Sequence, residues 1–161
     1  MPPPASIDHN AAVTTAEQTY DVIVIGAGST GENVADIAVR GGLTAVLVES
    51  ALVGGECSYW ACMPSKTLLR GSEVLGQARA VQGAAAAVTG EQDVAATLAR
   101  RDSFTSNWDD ASQVEWVEKS HIALVRGKGR LDGEKRVVVT QADGSEVVLT
   151  CLLYTSDAAD E

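Results

Sequence analysis

The feature that most constrains the fold is six residues long. Gly26-Ala27-Gly28-Ser29-Thr30-Gly31 is G-x-G-x-x-G, and its flanks matter as much as its glycines. Before it stands Tyr20–Ile25 (YDVIVI), a short β-branched run of the kind that fills a strand buried on both faces of a parallel sheet. After it, Val34, Ala35, Ile37, Ala38 and Val39 recur at helical spacing and stop at Gly41-Gly42. Leu43–Val48 (LTAVLV) is a second strand of the buried type. Strand, helix and strand within about 29 residues make a βαβ unit. The prediction is an α/β chain with a Rossmann-like parallel sheet.

The glycines of such a loop have separate tasks. Gly26 permits the tight turn, Gly28 lets a pyrophosphate approach the backbone, and Gly31 lets helix and strand pack closely. The N–H groups at the helix start, around Ser29 and Thr30, have no partners within the helix, and with the helix dipole they hold phosphate charge. Glu49 ends the second strand, 18 residues past Gly31. A carboxylate there can accept hydrogen bonds from ribose hydroxyls. Strand context and Glu49 together predict dinucleotide binding rather than a plain tight turn. Glu32 reads as a charge in the first helical turn rather than a ligand contact.

Composition narrows the function. The chain has 161 residues and a net charge of −10. A Lys/Arg excess, which sequence-independent nucleic-acid or anionic-membrane binding needs, is missing. No apolar run approaches the roughly 20 residues of a membrane span. No basic segment followed by an apolar stretch marks a secretory signal. The expectation is a cytoplasmic protein. Residues 1–19 are polar, Pro-rich at the start and without period, and read as a disordered leader.

Past the βαβ unit, residues 50–58 read as a glycine-containing loop and Tyr59 to about Arg79 as a helix carrying Leu68, Leu69, Val74 and Leu75. Residues 80–89 are Ala-rich, either helix or loop, and two more helices are expected within 91–118. From His121 the period changes. His121–Arg126, Lys135–Thr140 and Glu146–Thr150, with Asp132-Gly133 and Asp143-Gly144 as turn dipeptides, predict a small antiparallel meander. Asp109-Asp110 with Arg100-Arg101 reads as solvated surface. Trp108 and Trp116, at helical spacing, read as core or interface anchors. The tail from Cys151 (CLLYTSDAADE) resembles a translated sequencing-adapter tail. Residues 20–150 are therefore expected to be the domain and 151–161 a non-native addition. Without that tail, 12 basic and 19 acidic residues still leave −7.

Cys57 and Cys62 lie in GGECSYWACMPSK (54–66). Zinc would need about four ligands, and His9, His121 and Cys151 are not in paired spacing. Two inert thiols or a redox disulfide remain. Residues five apart in a regular helix have Cα atoms about 8.6 Å apart, whereas a disulfide wants less than about 7 Å. The pair can therefore meet only if the helix start is irregular. The Gly54-Gly55 lead-in and Pro64, which cannot donate a helix bond, permit that. A helix N-terminus favours a thiolate, while Glu56 beside Cys57 disfavours one by like charge.

Gly26–Gly31, Glu49 and Gly54–Leu69 together resemble the N-terminal FAD-binding region of the class I flavoprotein disulfide reductases, the pyridine-nucleotide enzymes that include dihydrolipoyl dehydrogenase, glutathione reductase and mercuric reductase. The resemblance covers about residues 20–150. It implies a catalytic pair, with Cys57 the interchange thiol and Cys62 the thiol against the flavin. It implies that Lys66 reaches the flavin near its reactive nitrogen, that Gly129 of Gly127-Lys128-Gly129 touches the adenine side, and that Gly55 joins the glycine loop in holding FAD. It implies no metal. Glu56 stands where the family often has Thr, and Tyr59-Trp60-Ala61 where it often has Asn-Val-Gly. The family also uses NAD(P)H, a disulfide or dithiol substrate, a homodimer and an acid–base histidine from a C-terminal domain. This sequence has one glycine fingerprint and only His9 and His121, with His121 read as an ordinary strand residue. The expectation is the N-terminal part of an incomplete FAD-binding domain, inactive by itself. The alternatives are an FAD-binding module without turnover and an unstable gene fragment.

Overall fold

The computed structural model describes residues 17–156. Its first three elements are the expected βαβ unit: β1 (Glu17–Ile25), α1 (Ser29–Arg40) and β2 (Ala45–Glu49). Val22–Ile25 pair in parallel with Ala45–Val48. Two boundaries differ from expectation. β1 takes in Glu17–Thr19, assigned to the leader, because they find partners at Val148–Thr150 of a later strand. Residues 1–16 of that leader lie outside the described residues. β2 begins at Ala45 rather than Leu43, since the Thr44 N–H and hydroxyl both donate to the Asp21 carboxylate, at 2.8 and 2.7 Å.

The helices follow as α2 (Gly55–Tyr59), α3 (Cys62–Ala80), α4 (Val94–Phe104) and α5 (Ala111–Lys119). The segment expected to be loop up to Ser58 and helix from Tyr59 is reorganised. Gly55–Tyr59 is already helical, and the break falls at Trp60 and Ala61. The Ala-rich stretch forms one 3₁₀ turn, Ala85–Ala87. Asp93 caps α4 by accepting from the Ala96 N–H at 2.9 Å. Trp108 and Trp116 do not share a helix. Trp116 is in α5, while Trp108 ends a left-handed turn, Ser106–Trp108.

The strand pattern after residue 121 is corrected too. β3 (Ala123–Arg126) is not part of the meander but pairs in parallel with β2, Val46 opposite Ala123. Alternation cannot tell a parallel partner from an antiparallel one. The crossover through α2–α5 decides it, because a long helical connection returns the chain in the same direction. His121 lies just before β3, exposed and at positive φ. The meander is made of β4 (Lys128–Leu131), β5 (Arg136–Thr140) and β6 (Glu146–Ser156). β4, with its Gly and two bases, is a strand that the sequence does not announce. β6 then turns its other edge to β1 and pairs with it in parallel. The sheet order is β3-β2-β1-β6-β5-β4. β6 crosses Thr150 without a break, and the expected tail beyond Ser156 lies outside the described residues.

The sheet curls, and this sets the core. Val22, Val24, Ala45 and Leu47 face α1 and α5, against Ala35, Val117 and Ile122. The alternate residues Ile23, Val46 and Val48 face the other way and are covered by Val137, Val139 and Leu149 of the meander. The parallel strands are buried on both faces, which is why they read as continuous apolar runs.

Candidate functional site

The glycine loop connects β1 to α1, and two of its positions exclude any side chain. A Cβ on Gly31 would lie 2.0 Å from the Gly26 carbonyl oxygen. Gly26 itself has φ 95°, the left-handed region that glycine occupies without strain. Gly28 caps α1 with extended backbone and no side chain satisfies the first N–H groups there. The start of α1, at Ser29 and Thr30, is exposed and open to an anion.

A second glycine pair is clamped to the first. The Gly54 N–H donates to the Ala27 carbonyl at 2.8 Å, and a Cβ on Gly55 would come within 2.7 Å of the Gly28 Cα. Gly54 and Gly55 both have positive φ, 109° and 61°. The segment carrying the cysteines is thus seated directly on the phosphate-type loop.

Between the cysteines the helix breaks as the spacing argument requires. Cys57 is in α2 and Cys62 opens α3. The Trp60 and Ala61 N–H groups both turn back to the Glu56 carbonyl, at 2.8 and 2.7 Å. Helical bonding resumes with the Ser65 N–H on the Ala61 carbonyl, and Pro64 has no N–H to offer Trp60. Cys57 and Cys62 flank the break, and hydrogen bonding to Cys62, followed by burial, raises the Cys57 thiol above its ordinary range. Lys66, exposed on the first turn of α3, pulls the other way. Glu56, expected to be the unfavourable neighbour, is exposed and is not among the causes. Both thiols are half-buried and unbridged in this structure.

Glu49 is 6% exposed at the end of β2. Its two carboxylate oxygens accept from the Ala27 N–H at 2.8 Å and the Ala51 N–H at 2.7 Å. Clefts of about 130, 210 and 250 Å³ open around it. The first is lined by Gly26, Val48, Glu49, Ser50 and Gly129. A Cβ on Gly129 would sit 3.1 Å from Val48 Cγ1 and 3.3 Å from Ile25 Cγ2, so β4 passes tightly over the ends of β1 and β2. The glycine loop, Glu49 and Gly129, far apart in sequence, are therefore gathered at one end of the sheet. A cavity of about 480 Å³ between α3 and α4 is elsewhere and holds none of the predicted site residues.

A family model described as pyridine nucleotide-disulphide oxidoreductase matches residues 20–151. The chain belongs to that family. Among its relatives are a dihydrolipoyl dehydrogenase of Chlorobaculum parvum, 35% identical over 127 residues, and dihydrolipoyl dehydrogenase 3 of Pseudomonas aeruginosa, 38% identical over 136. A mercuric reductase of Staphylococcus aureus is 28% identical over 161 residues. These alignments cover 79%, 82% and 99% of this chain and 27%, 29% and 28% of the relatives. The chain thus spans less than a third of their length. A flavoprotein disulfide reductase from Escherichia coli, RclA, solved as a Cu(II) complex, shares the fold with a TM-score of 0.70 at 15% identity, over 87% of this chain and 28% of that one.

Several residues of this family member's site carried no readable signal. Asp110, assigned to solvated surface, is only 15% exposed at its side chain. It accepts from the Val53 N–H at 2.7 Å and pairs with Arg126, which also donates to the Ala51 carbonyl. Together they pin the loop from Glu49 to Gly54. Arg101 likewise pairs with Asp102 and stacks over the Trp108 ring. Glu32 is in the first turn of α1 as expected, but its carboxyl is pushed up to about 7 by burial and by the Glu49 carboxylate.

Proposed function

We propose that the full-length protein is an FAD-dependent NAD(P)H:disulfide oxidoreductase and that this chain supplies its FAD cradle and its redox-active cysteine pair. One observation carries the reading: a helix break between Cys57 and Cys62, with Lys66 on the following turn, on a segment seated on the glycine loop. On this reading Glu49 and Gly129 would hold the adenine and ribose end of FAD, the N–H groups of Ser29, Thr30 and Gly31 with the bare backbone at Gly28 and Gly55 would hold its pyrophosphate, and Lys66 would stand at the flavin end. The close approach of these segments depends on glycine, because a Cβ at Gly31 would strike the Gly26 carbonyl oxygen and one at Gly55 the Gly28 Cα.

The chemistry FAD would supply there is a two-electron reduction of a Cys57–Cys62 disulfide to the dithiol. The chemistry of the chain's own residues follows from the thiols. The Cys57 thiolate attacks one sulfur of the substrate disulfide, forming a mixed disulfide and releasing the other sulfur as a thiolate that takes a proton. The Cys62 thiolate then attacks Cys57 Sγ, re-forming the Cys57–Cys62 disulfide and releasing the second substrate thiol. Lys66 favours the thiolates by its charge. With a dithiol substrate the steps run in reverse. The nicotinamide site, the proton-transferring histidine and the dimer contacts belong to sequence outside this chain, and the substrate is a small or protein-bound disulfide or dithiol. Cytoplasmic placement fits a pair that must cycle through the reduced state.

The test is thiol mapping in the full-length holoprotein. Oxidised protein should yield a Cys57–Cys62 linked peptide, and anaerobic NAD(P)H should convert both residues to alkylatable thiols. Two permanently free cysteines would refute the proposal.

A further inference from the structure

The break between the cysteines leaves a backbone acceptor without a helical donor. In a continuous helix the Tyr59 carbonyl would take the Met63 N–H. Here it takes a donor from 49 residues away: the Trp108 indole Nε1–H, at 3.1 Å. The segment presenting that indole is itself unusual. Ser106, Asn107 and Trp108 have φ of 51°, 53° and 58°, three successive non-glycine residues in the left-handed region. Such backbone is strained and persists only where the surroundings enforce it. Thr105, 1% exposed, anchors the turn, with its hydroxyl on the Asp102 carbonyl at 3.0 Å. The Arg101 guanidinium lies 5.4 Å over the Trp108 ring. Tyr59 is buried and packs edge-on against Trp60, so its carbonyl has little freedom to leave.

We propose that Trp108 is a positioning residue for the redox pair: its indole N–H holds the helix break that lets Cys57 and Cys62 bond. The inference rests on the redox reading above and extends it. Without the indole donor, the Tyr59 carbonyl regains its bond by extending α2 into α3. That movement drives the cysteine Cα atoms toward the about 8.6 Å of a regular helix, beyond disulfide reach. The dithiol tolerates either geometry and the disulfide only the broken one. Loss of the indole N–H therefore favours the dithiol.

The experiment equilibrates full-length holoprotein with glutathione buffers of graded GSSG to GSH ratio and scores the Cys57–Cys62 disulfide by alkylation. W108F keeps an aromatic ring and removes the N–H. The expected result is an equilibrium constant for disulfide formation about fivefold lower than in the parent, the worth of one neutral hydrogen bond. R101A, which unseats the ring without removing it, shifts the constant the same way and serves if W108F does not retain its flavin. N107G relaxes the left-handed turn while keeping the donor, and leaves the constant unchanged while raising the melting temperature. A lower melting temperature in W108F and R101A with an unchanged constant overturns the inference, since Trp108 would then be structural only. A parent protein that forms no Cys57–Cys62 disulfide at any ratio overturns the redox reading instead.

Discussion

Glu32→Gln should stabilise the protein, increasingly as pH rises above about 4.5 and fully above about 7. The carboxyl sits in the first turn of α1, where the helix dipole favours a negative charge by about 0.3–1 kcal/mol. Two effects oppose that. Its Oε1 is buried with no hydrogen-bond partner among the described residues, and the Glu49 carboxylate is its neighbour. The opposing effects win, because the group is pushed from its ordinary 4.5 up to about 7. A displacement of that size corresponds to on the order of 3 kcal/mol. The side chain is only half-buried, so solvent screening reduces the figure to about 1–2 kcal/mol. The sign follows from proton counting. Below about pH 4.5 the group is neutral in both the folded and unfolded chain, and no penalty exists. From 4.5 to 7 the unfolded chain gives up its proton first, so stability falls across that window. Above about 7 the penalty is complete. Gln mimics the neutral acid and never incurs it. Urea denaturation of full-length parent and E32Q between pH 4 and 8.5 should show curves that coincide at the acid end and separate by about 1–2 kcal/mol above pH 7. A difference that does not vary with pH, or an E32Q protein less stable at pH 8, would refute the reasoning.

Other substitutions probe the rest of the site. Gly31→Ala forces a methyl to within 2.0 Å of the Gly26 carbonyl oxygen, so α1 must shift off the loop. FAD affinity, read by quenching of flavin fluorescence, should fall at least tenfold. Gly129→Val presses a branched side chain onto Val48 and Ile25 at the cleft beside Glu49, and should weaken FAD without altering the reactivity of the cysteines, measured by alkylation of the apoprotein. Asp110→Ala leaves the Val53 N–H and Arg126 without their shared acceptor and should cost about 1–3 kcal/mol in thermal unfolding. Lys66→Met removes the charge that lowers Cys57, so alkylation of Cys57 at pH 7.5 should slow severalfold and its pH profile move to higher pH.

Much of this architecture is written locally. The βαβ unit is legible because each of its signals lies within one stretch of chain: β-branched runs, a glycine loop, a helical period, a stop at Gly41-Gly42. The break at Trp60–Ala61 is legible in kind, from the length of five residues and Pro64, although α2 is hidden because five helical residues, the first of them Gly55, leave no period to read. What sequence does not show is pairing at a distance. Ala123–Arg126 alternates whether its partner is parallel or antiparallel, and only the long crossover assigns it to β2. Lys128–Leu131 is a strand because β5 supplies its bonds, not because its residues favour one. Asp110 looks like surface until Val53 and Arg126 close on it, and Trp108 looks helical until its left-handed turn carries it to Tyr59.

The proposed function assigns Cys62 to the flavin and Cys57 to the substrate. Absorption spectroscopy of the full-length protein during anaerobic reduction tests it most directly. The account predicts a long-wavelength band from a Cys62 thiolate against oxidised flavin after two electrons. That band should be lost in Cys62→Ser and kept in Cys57→Ser. A band that survives in Cys62→Ser, or none in the parent protein, would contradict it.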